Sequence, residues 1–225
     1  YKAENMLDRA SMLAGIERKG SVVSTISWSA QGVAQADLLI EAQKHTISTL
    51  NENEDLNSLI QLLIYGIKGL AAYAEHAAVL GATDDSIFAF IAEALTESTR
   101  HDISMEELVA LNMKCGEVNI TCMEILNTAH KDAFGTPVPT SVSTNLVAGP
   151  SIVVSGHDLY MFDKLLEQCD EAGVSVYTHG EMLPAHGYPK LKAHKSLVGH
   201  FGTAWQNQRK EFDGQQVAFI FNTNC

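Results

Sequence analysis

Residues 151–182, SIVVSGHDLYMFDKLLEQCDEAGVSVYTHGEM, read as strand, helix, strand. Ser151–Ser155 is a short apolar run, Leu159–Glu171 an amphipathic helix and Val174–Tyr177 a second apolar run. Val- and Ile-rich runs alternating with helices indicate a parallel sheet covered on both faces. The pattern continues downstream: Leu197–Phe201 is a candidate third strand, Ala204–Phe212 a short helix and Val217–Phe221 a buried strand.

Upstream the period lengthens to that of a helix. From Leu56 the apolar positions run Leu56, Leu59, Ile60, Leu63, Ile67, Leu70, Ala71, Ala74 and Ala78, one face of a helix that Gly81 terminates. A second helix is expected over Asp84–Ser98, with Ile87, Phe90, Ile91 and Leu95 inward. A third starts at Ser104, where Glu107 completes a capping box, and carries Leu108, Leu111, Cys115, Val118, Cys122 and Ile125 on one stripe. An earlier helix is expected over Ala34–Leu50, joined by an acidic connector, Asn51–Asp55. Gly135, Pro137, Pro139, Gly149 and Pro150 mark a boundary over Phe134–Pro150. The expected fold class is therefore α + α/β. An antiparallel helical bundle (residues 1–145) precedes the start of a Rossmann-like parallel α/β domain (residues 146–225).

Composition narrows the function. The 225 residues are 46% hydrophobic and 19% charged, with a formal charge of −12. Residues 1–145 hold 9 Lys and Arg against 19 Asp and Glu. Binding to nucleic acid or to an anionic membrane needs basic patches, so neither is expected. No apolar run approaches the roughly 18–20 residues of a membrane span, and no secretory leader opens the sequence. Four widely spaced cysteines suit a reducing compartment, so a cytoplasmic location is expected. A chain that starts on Tyr1 and stops on Cys225 reads as a piece of something longer.

In open parallel sheets ligands bind beyond the carboxyl ends of the strands. Those ends here are Ser155-Gly156-His157-Asp158, Thr178-His179-Gly180-Glu181-Met182 and Asn222-Thr223-Asn224-Cys225. They deliver a His, a Glu and a Cys to one rim, the mixed donor set of a transition-metal centre. Each residue also has a plainer reading. His157 could stand beside a helix cap formed by Asp158, Glu181 could be a solvated turn residue, and Cys225 a small buried hydrophobe. His179 and His186 invite a zinc reading, but H-E-x-x-H is absent and Pro184 forbids the helix it needs. Dinucleotide, P-loop and serine-elbow signatures are missing too. Cys115 and Cys122 lie two helical turns apart, about 10 Å, too far to share one ion, and read as core; so does Cys169.

The segments Val154–Leu159, Val176–Pro189 (VYTHGEMLPAHGYP), Trp205–Gln208 (WQNQ) and Thr223–Cys225 (TNC) resemble the hybrid cluster protein (prismane) family, also called hydroxylamine reductases. Leu63–Gly69, with Tyr73, Glu75 and His76, matches as well, so the resemblance covers about residues 56–225. It implies that His157, Glu181 and Cys225 bind a hybrid iron–sulfur–oxygen cluster of four irons. The resemblance places the remaining ligands of that cluster, and the cysteines of a second Fe–S cluster, outside this sequence. It further implies reduction of hydroxylamine to ammonia and water, with nitric oxide reduction and a nitrosative-stress role as other activities, and a redox electron donor as partner. His179 and His186 are candidate proton donors, since an imidazole ordinarily titrates near neutral pH. The nickel–iron–sulfur carbon monoxide dehydrogenases resemble the family in fold and in the His and Cys positions, and Glu181 argues against them. A metal-free, non-catalytic fragment is the rival from outside enzymology.

Overall fold

The computed structural model describes residue 39 and residues 46–223; of the expected helix over Ala34–Leu50, Leu39 is helical, Ile47–Thr49 forms a 3-10 turn flanked by non-helical Thr46 and Leu50, and residues 34–38 and 40–45 lie outside the described residues. The segments 1–49 and 50–225 are separate compact units.

In the second unit, helix α1 spans Glu54–Ala78, α2 Asp85–Glu97 and α3 Met105–Phe134. Each starts on a side-chain cap that satisfies otherwise orphaned amides. Asn53 accepts from the Asp55 and Leu56 amides, Asp84 from Ser86, and Ser104 and Glu107 form both halves of the capping box. Gly81 (φ +83°) follows α1, and Gly135 (φ +88°) ends α3. Asn112 Nδ2 donates to the Leu59 carbonyl, and Cys122 Sγ lies 3.9 Å from that of Leu70, so α1 and α3 climb side by side in the same direction. The short α2 returns alongside this pair, with Glu93 bonded to Lys114 of α3 (2.7 Å). This is the expected up–down–up bundle. Its core holds Ile60, Leu63, Ile67, Leu70, Ile87, Phe90, Leu108, Leu111, Cys115 and Cys122. Leu95 corrects the reading: it is 46% exposed, and Ala94 takes the inward place. A 13-residue helix beside one of 30 has fewer positions facing its neighbours.

The α/β part contains β1 (Ser151–Gly156), α4 (Leu159–Ala172), β2 (Ser175–His179), a 3-10 stretch (Gly180–Gly187), α5 (Pro189–Lys192), β3 (Leu197–His200), α6 (Gln208–Phe212) and β4 (Ala218–Asn222). Ala204–Phe212 is thus split, since Trp205–Asn207 forms a 3-10 turn. The four strands are parallel, in the order β3-β2-β1-β4, the α/β sheet that the alternation predicts. Ser155 is level with His179 on one side and with Phe221 on the other. β4 is not the buried strand expected: it pairs only with β1 among the described residues, and Phe221 is half exposed.

The sheet core gathers Val154, Phe162, Leu166, Val176, Met182 and Leu191 around Phe134, the last residue of α3. The boundary segment 135–150 is a strap and not a loose tether. Val138 donates to the Gly187 carbonyl, the His200 amide to Ser143, and the Val147 amide to the Tyr177 hydroxyl.

Candidate metal centre

Strand order reverses at β1: β2 and β3 lie on one side and β4 on the other. The crevice beyond the carboxyl ends of two such strands is where open α/β sheets bind ligands. His157 follows β1, and Thr223 follows β4. Glu181 lies two residues past the end of β2, as His157 lies two past Ser155, so the level register brings the two side chains together.

His157 Nε2 is 2.6 Å from Glu181 Oε2, and Nδ1 is 2.7 Å from the Thr223 carbonyl oxygen. A carbonyl can only accept, so Nδ1 carries a hydrogen and Nε2 faces the carboxylate. With Nε2 unprotonated and the carboxylate ionised, two lone pairs would oppose each other at that distance. A proton between them turns the contact into a charge-assisted hydrogen bond; a metal cation, with bonds of about 2.0–2.2 Å to such donors, would be shared by the two only once they draw slightly apart. Metal-ligating histidines characteristically hand their other ring N–H to a carbonyl or carboxylate. The donor pair and its orienting carbonyl therefore fit a metal centre of mixed nitrogen and oxygen ligation.

The surrounding backbone explains why the site is rigid. Asn222 Oδ1 accepts from the amides of His157 (3.0 Å) and Asp158 (3.2 Å), and Asn222 Nδ2 donates to the Asp158 carbonyl. Gly156 has φ +150°, and a Cβ there would run into the Asn222 carbonyl oxygen. Only glycine permits β1 and β4 to close so tightly. Asp158 does cap α4, accepting from the Met161 amide, so the plainer reading of this turn holds for Asp158 while His157 points to Glu181. Glu181, 64% exposed, is held on a 3-10 stretch pinned by buried Met182 and Ala185; Pro184 keeps that stretch from becoming an α-helix.

His179 and His186 are not brought to this pair. His179, fully buried, pairs through Nδ1 with Ser155 Oγ (3.1 Å) and through Nε2 with Glu211 Oε2 (2.9 Å). The Thr178 hydroxyl sits 2.9 Å from both His186 Nε2 and His200 Nδ1. Burial pushes His186 down to about 4, helped by neighbouring His200, and lowers His200 as well. Burial would raise Glu211, but hydrogen bonds from Thr203 and His179 outweigh it and hold the carboxyl below its ordinary value. Sequence reasoning gave no role to Thr178, His200, Glu211, Asn222 or His76, although Thr178 and Asn222 stand at strand ends and His76 lies in a segment that carries the resemblance.

Cys225 lies outside the described residues. Among the described residues, no group of three or more His, Cys, Asp or Glu is disposed around a common metal position. Cys115, Cys122 and Cys169 are buried free thiols, raised by that burial.

The family model described as Prismane/CO dehydrogenase family matches residues 1–225. A hydroxylamine reductase of Maridesulfovibrio salexigens is 50% identical over 190 residues, covering 84% of this chain and 36% of that protein. One from Geobacter metallireducens is 48% identical over 188 residues (84% of this chain, 34% of that protein). One from Desulfitobacterium hafniense is 42% identical over 227 residues, covering 99% of this chain and 41% of that protein. The chain therefore spans from about a third to two fifths of the length of these curated relatives.

Proposed function

Because the chain belongs to the Prismane/CO dehydrogenase family, we propose that it supplies His157, Glu181 and Cys225 to a hybrid iron–sulfur–oxygen cluster in a hydroxylamine reductase. The overall reaction takes hydroxylamine, two electrons and two protons to ammonia and water. The observation that carries this reading is the 2.6 Å approach of His157 Nε2 to Glu181 Oε2 beyond the strand ends. Imidazole and carboxylate are the harder donors and a thiolate the softer one, a set suited to a cluster with both oxo and sulfido bridges. When bound, the cluster supplies Lewis acidity and electrons.

The chain's own residues orient that group and manage protons. The Thr223 carbonyl fixes the His157 ring and Asn222 its backbone amide, and the buried Met182 and Ala185 hold the turn that carries Glu181. Burial keeps His186 unprotonated near pH 7, so its proton-donor role would run by exchange through the Thr178 hydroxyl, and that of His179 would run through Ser155. In this reading residues 1–145 are the helical domain, residues 146–225 the ligand-bearing one, and a redox protein in the cytoplasm donates the electrons. No helix among the described residues is long and apolar enough to cross a membrane. Glu181 and the names of the relatives favour hydroxylamine reduction over carbon monoxide chemistry.

The test is made in the full-length protein, purified anaerobically. His157→Ala and Glu181→Gln should each lower bound iron and acid-labile sulfide and abolish hydroxylamine-dependent oxidation of a reduced dye. Variants that keep full metal content and turnover would refute the assignment.

A further inference from the structure

Thr223 has φ +29°, the one non-glycine residue with positive φ among the described residues. A β-branched side chain disfavours that conformation, so its surroundings must hold it there. Its carbonyl and its hydroxyl are both engaged. The carbonyl accepts from His157 Nδ1 (2.7 Å), and Oγ1 shares a hydrogen bond with His76 Nε2 (2.9 Å). His76 is buried in the last turn of α1, its ring 6.2 Å from that of Tyr73. Asn222, the preceding residue, is clamped to the start of α4 by three hydrogen bonds. Thr223 is thus fixed from both sides, by the sheet through Asn222 and by the bundle through His76.

We propose that Thr223 and His76 are positioning residues for His157: helix α1 holds the Thr223 carbonyl where it captures Nδ1, and so directs Nε2 at Glu181. The proposal rests on reading His157 and Glu181 as cluster ligands. It gives the bundle a task at a site whose donors within residues 1–225 would all come from the α/β part. A backbone carbonyl cannot be mutated away, but the hydroxyl that anchors it can. Losing such support for a metal ligand typically costs about 10–100-fold in metal affinity.

The experiment uses the full-length protein prepared without iron, with Co²⁺ as the probe. Thr223→Val keeps the branched shape and removes the tie; His76→Phe removes it from the other side; Thr223→Ser retains it. The readouts are the Co²⁺ dissociation constant and the ¹⁵N shifts of His157, which report which ring nitrogen carries hydrogen. The expected result is about 10–100-fold weaker Co²⁺ binding in Thr223→Val and in His76→Phe, with His157 no longer held in the Nδ1–H form. The double variant should be no worse than the weaker single one, because both cut one chain of contacts. Thr223→Ser should behave as wild type. Unchanged ¹⁵N shifts and Co²⁺ affinity in either folded variant, or an equal loss in Thr223→Ser, would overturn the proposal. A His157→Ala control that binds Co²⁺ as well as wild type would instead overturn the ligand reading. The ¹⁵N shifts then decide the positioning of His157 by themselves.

Discussion

Acidification should unfold this protein earlier than its carboxylates alone would require, and His186 is the cause. Burial depresses it to about 4 from an ordinary value of 6.5. Between those values the unfolded chain binds a proton that the folded chain refuses, so stability falls as pH falls. The full difference amounts to about 3 kcal/mol below pH 4, and about 2 kcal/mol of it is already lost at pH 5. His186→Gln retains a group able to bond Thr178 and cannot titrate. Urea unfolding followed by circular dichroism at pH 7.5 and pH 5 should show wild type losing about 2 kcal/mol more than the variant. His200, also depressed by burial, leaves a smaller slope of the same sign in both proteins. Equal losses in the two proteins would show that His186 protonates in place and that its network is open to water.

Gly156→Ala should open the β1–β4 junction, because a Cβ meets the Asn222 carbonyl at φ +150°; on the order of 3 kcal/mol of stability is at stake. Loss of His157 metal affinity with it would follow the same clash. Cys122→Ser should cost about 1–3 kcal/mol, since a hydroxyl replaces a thiol at a fully buried position, and should leave the iron content of the full-length protein unchanged; loss of iron without loss of folding would expose Cys122 as a ligand. The 225-residue chain alone, reconstituted with iron and sulfide, should show no hydroxylamine-dependent dye oxidation, because on the proposed reading it would offer three donors to a cluster of four irons; turnover at the rate of a full-length relative would overturn that expectation.

The βαβ unit and the three helices were legible because each rests on local signals: apolar period, caps and terminating glycines. So was the meeting of His157 with Glu181, since strand ends converge whatever the loops do. The exposure of β4 was not legible, because VAFIF is equally apolar in an edge strand and in a central one. Nor was the fate of THGEMLPAHGYP, where Pro184 excludes the α-helix but nothing local selects the 3-10 path. The His76–Thr223 bond joins residues 147 positions apart, and its geometry depends on a left-handed φ at a threonine that no pattern announces.

Helix α3 begins in one hydrophobic core and ends in another: Leu108 is buried among bundle residues, and Phe134 among those of the sheet. Neither core can open fully while this 30-residue rod stays intact. Melting the bundle would therefore also pull a fully packed phenyl ring out from under the sheet. The bundle and the sheet should accordingly lose structure in one cooperative transition. In native-state hydrogen exchange, interior amides at both ends of α3 would exchange only through the same opening event, reporting one free energy across both cores.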